Sequence, residues 1–565
     1  MSAVMETQPT LSLLWPYGVG RAKTWPLQST CARDLELEHI LSALAQYAPN
    51  RTVIKEVANQ LCTDPAVLTY RQDVLEDLWQ HRALADRLET LLPDISALDA
   101  YRSSVDRQRS TLEDVTWRLG ELEQLVTCVS GLDEVFSQVG GQLRAQGWRI
   151  LGDRVAQIAQ DDVYLNLTRE LPDMLETIRS KASVTIGINL DNRLRPVATT
   201  LLSVNDQPFT SSSFIDRLLG RQPKENYKGI GPLHSVAALE VERNPLGLDP
   251  QAQPINPMLV PLFRDLAKVL ETVCRPIART LRRYITLQSG FLAGVSGEMA
   301  FYLAAVRLMQ QLQGHGLPLC RPEILPMAER ICELQDGYNL NLALHLLDQT
   351  KVNDAVVKND ARMDKNGRIF ILTGPNQGGK TTYVQMVGLC QILAQLGLWV
   401  PAAQARISPV DGIYTHYPIE ESSAKATGRF GDEAQRLSHI FTEATRHSLI
   451  LLNESLASTN SGESLYIAQD LVRVLRRMGA RAIFATHLHE LAADVTSLNE
   501  QAPGDSQVVS LVASRIESGA DGTQRSYKIV EGQPMGRSYA REIASKYGIG
   551  YEQLMSRLQQ RGVLE

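Results

Sequence analysis

The chain has 565 residues, of which 44% are hydrophobic and 21% charged, and its net charge is −6. This composition is compatible with an ordinary soluble protein of roughly three to four domains. No apolar run approaches the ~18 residues that a membrane span needs, and the N-terminus lacks a signal-peptide pattern. The seven cysteines form no C-x-x-C pair, which argues against a zinc site and a disulfide framework. We therefore expect a cytoplasmic protein without membrane contact.

The N-terminal half is predicted to be mainly helical. Residues 1–30 contain several prolines and aromatic residues, show no periodicity and are predicted to be an irregular arm. Helical patterns fill residues 31–180, which we expect to form a helical core or lever domain. The clearest pattern alternates spacings of three and four residues, as in a coiled coil, and consists of Leu112, Val115, Leu119, Leu122, Val126 and Val129. Such a stripe indicates core packing more often than a binding face.

The hydrophobic period changes within residues 181–256. Apolar residues alternate from Val184 to Leu190, and a second apolar run follows the turn at Asp191-Asn192, so a small β insertion is expected. The next segment, 210–234, is rich in Ser, Gly and Pro and carries the basic residues Arg217, Arg221, Lys224 and Lys228. Two interpretations of it stay open: a solvated loop, or a reduced clamp-like tip that contacts phosphates. Helical periodicity returns over residues 257–350, the expected second part of the core.

Strands alternate with helices over residues 351–565, as in a doubly wound α/β sheet. A glycine-rich loop between a predicted strand, 368–372, and a predicted helix, 382–396, fits G-x-x-x-x-G-K-[ST] at every fixed position. In such a P-loop, backbone N–H groups surround phosphate oxygens, Lys380 reaches the β and γ phosphates, and Thr381 ligates Mg²⁺. The predicted ATP-binding residues are Gly374, Pro375, Asn376, Gln377, Gly378, Gly379, Lys380, Thr381 and Thr382.

Two further predicted strands end in residues suited to ATP hydrolysis. The apolar run 448–452 ends in Asn453-Glu454. P-loop ATPases have at these places an acidic group that helps hold Mg²⁺ and a glutamate that orients the attacking water. Thr381, Asn453 and Glu454 are therefore the predicted metal site, and Glu454 the predicted base. Because Asn453 is neutral, weak Mg²⁺ binding and slow hydrolysis are expected, while His487, after the next strand, is expected to reach the γ-phosphate or polarise the water.

These segments together resemble the MutS family of mismatch-repair ATPases. The run from Leu372 to Thr382 is similar to the family's T-G-P-N-M-G-G-K-S-T, and the segments ending in Glu454 and around His487 resemble its metal and histidine strands. Weaker similarities extend from Thr63 over nearly the whole chain. The resemblance implies a P-loop ATPase domain of the MutS type preceded by a mainly helical core or lever with a small β insertion. It also implies ATP and Mg²⁺ as cofactors, and a homodimer that shares its ATP sites.

The sequence departs from the family pattern at several places. The aspartate of the metal strand is Asn453, and the signature segment 427–433 keeps Glu433 in register. That segment lacks a clear counterpart of the serine that faces the partner's ATP, with Thr427 or Arg429 as substitutes. The mismatch-reading F-x-E in a glycine-rich context is not found, nor is a nuclease segment. We therefore expect a core and an ATPase without a mismatch-recognition domain.

Two classes of function stay open. In the first, the chain is an ATP-dependent, MutS-like clamp that couples ATP binding and hydrolysis to closure on mismatched, duplex or branched DNA. In the second, it is an ATP-dependent conformational switch acting on a protein or ribonucleoprotein partner, without DNA. The net charge of −6 does not separate them, since local charge decides nucleic-acid binding.

Overall fold

The computed structural model describes residues 11–16, 24–47, 51–103, 111–180, 183–193, 196–205, 274–284, 287, 289–347, 352–375, 377–418, 428–456, 460–501, 503–518, 522–534 and 548–561. The chain forms two compact units. The sheet unit comprises Met1–Ala85, Leu143–Trp148 and Gly297–Glu565, and the helical unit comprises Asp86–Gln142 and Arg149–Ser296. These units group the chain differently from the domain boundaries that the sequence predicts, and those boundaries stay a prediction.

Helices and strands make up most of the described residues. In chain order, the strands are β1 Thr24–Pro26, β2 Gln60–Cys62, β3 Ser183–Leu190, β4 Pro196–Asn205, β5 Glu323–Ile324, β6 Cys332–Gly337, β7 Asn359–Met363, β8 Ile369–Thr373, β9 Gln404–Ile407, β10 Ile413–His416, β11 Leu449–Asn453, β12 Arg481–Ala485, β13 Val508–Ser518 and β14 Gly522–Glu531. The helices are α1 Ser29–Asp34, α2 Leu37–Ala45, α3 Arg51–Ala58, α4 Pro65–Gln80, α5 Arg82–Ser103, α6 Thr111–Val139, α7 Gln146–Gln160, α8 Asp162–Arg179, α9 Gly290–Ala293, α10 Ser296–Gly314, α11 Leu340–His345, α12 Val352–Ala355, α13 Lys380–Leu396, α14 Gly428–Glu443, α15 Ser461–Met478, α16 His489–Ala493, α17 Val495–Gln501 and α18 Tyr551–Gln560. Residues 274–281 are also helical. Within the described ranges, no helix is long and apolar enough to cross a membrane.

The helical unit is dominated by α6, which carries the predicted hydrophobic stripe. The buried residues of this stripe are Val115, Leu119, Leu122 and Val129. Strands β3 and β4 pair antiparallel, at the place where the sequence predicts a small β insertion. The basic residues Arg217, Arg221, Lys224 and Lys228 lie outside the described residues.

The sheet unit is built around a six-stranded sheet in the order β10-β11-β12-β8-β13-β14. The first five strands are parallel, and β14 runs antiparallel to β13. Strands β8, β11 and β12 are buried throughout, as expected for parallel strands covered on both faces. The register aligns Ala485 of β12 with Leu372 of β8 and with Asn453 of β11. The carboxyl ends of these strands therefore lie at one edge, where open α/β sheets bind their ligands.

A second sheet in the same unit has four strands in the order β5-β9-β6-β7. Strand β9 follows α13 in the chain and pairs antiparallel with β6. Strand β1, in the described part of the predicted irregular arm, pairs antiparallel with β2.

Helix α13 connects the ligand edge of the large sheet to the rest of the sheet unit. It ends before Gly397, which has a φ of 81° and whose N–H donates to the Ala394 carbonyl at 3.0 Å, a common helix stop. The N-terminal segment, represented by Asp34 and Leu35, packs along this helix. Gln385 Nε2 donates to the Asp34 carbonyl at 3.1 Å, and Gly388 faces Leu35. Helix α13 is therefore fixed by the N-terminal segment as well as by the sheet.

Candidate functional site

The glycine-rich loop between β8 and α13 has the backbone of a phosphate cradle. Gly374 has a φ of 149° and Gly379 a φ of 91°, conformations that side chains disfavour. A Cβ on Gly374 would lie 2.7 Å from Ala513 Cβ, so the loop requires glycine there for space as well. Gln377 is also left-handed, with a φ of 59°, whereas Asn376 lies outside the described residues. The loop leads directly into the N-terminus of α13, the positive end of the helix dipole.

The side chain of Lys380 is buried against the glycine-rich loop. It is 4% exposed, and its Nζ donates to the carbonyls of Gly374 at 2.9 Å and Pro375 at 3.1 Å. Burial lowers the pKa of Lys380, and the charge of Glu454 opposes that shift. The ammonium group therefore lies against the backbone of the glycine-rich loop.

Thr381 and Asn453 meet where a metal ion is expected. Thr381 Oγ1 lies 3.2 Å from Asn453 Nδ2 and 3.3 Å from Asn453 Oδ1, and Asn453 is 5% exposed. Hydroxyl and amide oxygens are hard donors of the kind that Mg²⁺ takes, usually together with waters and substrate phosphates. Among the described residues, no three or more His, Cys, Asp and Glu side chains are placed to hold a metal ion. The donor set thus fits a Mg²⁺ that is held mainly through the nucleotide.

Glu454 and His487 form a pair at the ends of β11 and β12. His487 Nε2 lies 3.2 Å from Glu454 Oε1, and the two side chains are 44% and 35% exposed, respectively. The hydrogen bond from His487 lowers the pKa of Glu454, burial opposes this, and the charges of His487 and Lys380 add to the lowering. Glu454 is therefore a carboxylate at neutral pH. The sequence predicted both residues for the site but did not predict that they contact each other.

Tyr527 of β14 is a neighbour of the loop that the sequence did not indicate. Its ring atom Cδ1 lies 3.6 Å from where a Cβ on Gly379 would be, and the residue is 44% exposed. Its backbone is left-handed, with a φ of 56°, and its carbonyl accepts from Asn359 Nδ2 at 3.2 Å. An accessible aromatic ring therefore stands beside the phosphate cradle. In the sequence, Tyr527 is recognisable only as an aromatic residue near the C-terminal end of the chain.

Comparison with known proteins agrees with this arrangement. The family model for MutS domain V matches residues 370–559, and the model for the MutS2 N-terminal domain matches residues 63–315. The chain belongs to the MutS family. The domain V match covers the described loop residues as well as Asn453, Glu454, His487 and Tyr527, so the predicted resemblance is confirmed.

Relatives with the name DNA mismatch repair protein MutS align with part of this MutS-family chain. The protein from Chlorobium phaeovibrioides is 32% identical over 306 residues, which is 53% of this chain and 32% of that protein. The protein from Chlorobium limicola is 37% identical over 198 residues, or 35% of this chain and 22% of the relative. MutS 1 from Haloarcula marismortui is 32% identical over 216 residues, or 38% and 23%. The matched segments span at most about a third of these relatives.

Proposed function

We propose that this chain is an ATP-dependent, MutS-like clamp protein that couples ATP binding and hydrolysis to closure on DNA. The observation that carries the proposal is the meeting of three strand ends at one sheet edge. There the phosphate loop, the Thr381–Asn453 contact and the Glu454–His487 pair lie together. A lysine, a hydroxyl donor and an oriented carboxylate are the parts that P-loop ATPases use.

ATP binding is assigned to the loop and to the ring beside it. The loop N–H groups and Lys380 would hold the β and γ phosphates, since phosphate oxygens are stronger acceptors than the carbonyls that Lys380 contacts. Thr382, in the first turn of α13, is half-buried. Tyr527 has the position and exposure to stack on the nucleotide base.

Mg²⁺ is assigned to Thr381 and Asn453, with Glu454 next to them. When bound, the ion would neutralise negative charge on the transferring phosphoryl group. Asn453 offers an amide oxygen without charge, so the chain attracts Mg²⁺ less strongly than it would with aspartate. We therefore propose slow hydrolysis, with Asn453→Asp expected to equal or exceed wild-type turnover at limiting Mg²⁺.

Glu454 is the proposed base that orients the attacking water, with His487 holding its carboxylate. The test is single-turnover phosphate release by wild type and Glu454→Gln, with Glu500→Gln on α17 as a control for loss of an exposed carboxylate. Glu454→Gln should bind ATP but release phosphate close to the uncatalysed rate, while Glu500→Gln behaves like wild type. Equal inertness of wild type and Glu454→Gln, both binding ATP, would mean a nucleotide-binding protein that is not an ATPase.

DNA as the ligand is supported by the names of the relatives, which are DNA mismatch repair proteins. Filter binding to duplex DNA, branched DNA and structured RNA at several salt concentrations tests it. Each phosphate contact on duplex DNA adds about 0.9 to the steepness with which the logarithm of the binding constant falls with the logarithm of the salt concentration. Alanine at Arg217, Arg221, Lys224 and Lys228 should reduce that slope if this segment contacts phosphates. No binding to any nucleic acid would favour the alternative, an ATP-dependent switch on a protein partner.

A further inference from the structure

The chain changes direction sharply after β11, in the segment Glu454–Leu456. Glu454 and Leu456 have φ values of 51° and 67°. Residues other than glycine adopt this left-handed conformation at a cost and keep it only where surrounding contacts impose it. The proposed base therefore lies on a backbone whose conformation depends on its neighbours.

Three of the contacts that hold this segment involve its three successive residues. The Glu454 N–H donates to the Ala485 carbonyl at 2.8 Å, which ties it to β12. The Ser455 hydroxyl lies 2.7 Å from His416 Nδ1 at the end of β10. Leu456 is 2% exposed, and its backbone N–H makes the third contact.

That third contact comes from helix α14. Glu433 is 6% exposed, and its Oε1 accepts a hydrogen bond from the Leu456 N–H at 2.8 Å. A buried backbone N–H without an acceptor is costly, so removing this carboxylate would favour a different conformation of the segment. The Leu456 carbonyl is already used, since it accepts from Ser464 Oγ at 2.7 Å. Glu433 therefore links α14 by a buried hydrogen bond to the segment that begins with the proposed base.

We propose that Glu433 is a positioning residue for ATP hydrolysis. By holding Leu456 it keeps the backbone of Glu454 in the conformation that presents the carboxylate to the attacking water. The inference rests on the proposed function, in which Glu454 orients that water. A shift of α14 would then move the base without altering the phosphate loop, which belongs to a separate segment, 374–381. Helix α14 thereby controls the rate of hydrolysis and not the affinity for ATP.

The test compares steady-state kcat and ATP affinity in Glu433→Ala, Glu433→Gln and the control Glu443→Ala. Glu443 lies in the last turn of the same helix and is exposed, with a hydrogen bond from Gln28. Glu433→Ala should lower kcat about tenfold to a hundredfold, the range expected when a reacting group is misplaced, with ATP affinity unchanged. Glu433→Gln keeps an acceptor oxygen and should stay within about threefold of wild type, since only hydrogen-bond strength changes. In a Glu454→Gln background, Glu433→Ala should have no further effect, because the two residues then act through one group.

Several results would overturn the inference. Wild-type kcat in folded Glu433→Ala, a parallel loss of ATP affinity, or a Gln variant as slow as Ala would each do so. If Glu433→Ala does not fold by circular dichroism, Glu433→Asp takes its place, because its shorter side chain withdraws the acceptor while keeping the charge. Failure of the proposed function is distinct: wild type would then release phosphate no faster than Glu454→Gln.

Discussion

At the scale of single residues, Lys380 is held by the carbonyls of its own loop. Its Nζ is 2.9 Å from the Gly374 oxygen and 3.1 Å from the Pro375 oxygen, so the loop itself positions the charge. Lys380→Ala removes a charged hydrogen-bond donor that contributes about 1.5–3 kcal/mol, which predicts roughly tenfold to hundredfold weaker ATP binding. Titration with a fluorescent ATP analogue measures this. Lys365→Ala, an exposed lysine before β8, is the control and should bind ATP like wild type.

His487 sets the pH range over which Glu454 is charged. The hydrogen bond from His487 keeps the pKa of Glu454 below its ordinary value, so the carboxylate persists as the pH falls until it reaches that lowered pKa. In His487→Ala this bond is lost while burial still raises the pKa, so the acid limb of the kcat profile should move to higher pH. The profile is measured from about pH 3 to about pH 8, so that it extends below the ordinary glutamate pKa of about 4.3. His439→Ala, a histidine of α14 that is 65% exposed, should leave the limb in place. An unmoved limb in active His487→Ala would contradict the role of the pair.

The residues of the site differ in how far the sequence could predict them. The P-loop is a local pattern. Asn453, Glu454 and His487 lie at or just after the carboxyl ends of buried parallel strands, where ligands bind in open α/β sheets. Tyr527 reaches Gly379 only because β14 pairs with β13 and β13 with β8. That pairing is set by long-range contacts, which a single sequence does not reveal. The same holds for the bond between Glu433 and the Leu456 N–H.

At the scale of elements, α13 is the most tightly enclosed helix at the site. A Cβ on Gly388 would lie 2.8 Å from Leu35 Cδ1 and 2.9 Å from Leu451 Cδ1, so glycine allows α13 to pack between the N-terminal segment and β11. Gly388→Leu should destabilise the protein by about 1–3 kcal/mol through overpacking. The midpoint of urea unfolding measures the loss. Gly314→Leu is the control, since a Cβ on Gly314 at the end of α10 would have no atom within 4 Å, and it should change stability by less than about 0.5 kcal/mol.

The elements themselves were more predictable than their packing partners. Hydrophobic period alone predicted α6, the β3–β4 hairpin and the alternation around the P-loop. It did not predict that the N-terminal segment would pack on α13, where Gln385 donates to the Asp34 carbonyl. Periodicity identifies which face of an element is buried but not which other element covers it. The described residues up to Ala85 accordingly group with the sheet unit, which hydrophobic period does not reveal.

At the scale of the whole molecule, the prediction concerns the homodimer that the family resemblance implies. Phe430 of α14 and Tyr466 of α15 are 37% and 66% exposed. Phe430 lies in the signature segment 427–433, and α15 begins at Ser461, where the segment 455–461 ends. The family resemblance implies that both segments face the partner's nucleotide. Aromatic side chains are enriched in protein interfaces. A nucleotide that binds the dimer more tightly than the monomer shifts the equilibrium toward the dimer. We therefore predict that Glu454→Gln with ATP and Mg²⁺ is a homodimer by light scattering at micromolar protein.

The variant that tests this surface is Tyr466→Asp in the Glu454→Gln background. A charge buried in an interface is unfavourable, so if Tyr466 is covered by the partner the ATP-dependent dimer should dissociate at concentrations where the parent stays paired. Leu165→Asp, at a residue of α8 that is 39% exposed, introduces the same charge elsewhere and should leave the dimer intact. Weakening by both variants would indicate a general effect of charge. A monomer in the parent protein, with ATP and without it, would contradict the shared-site arrangement and leave each chain to bind its nucleotide alone.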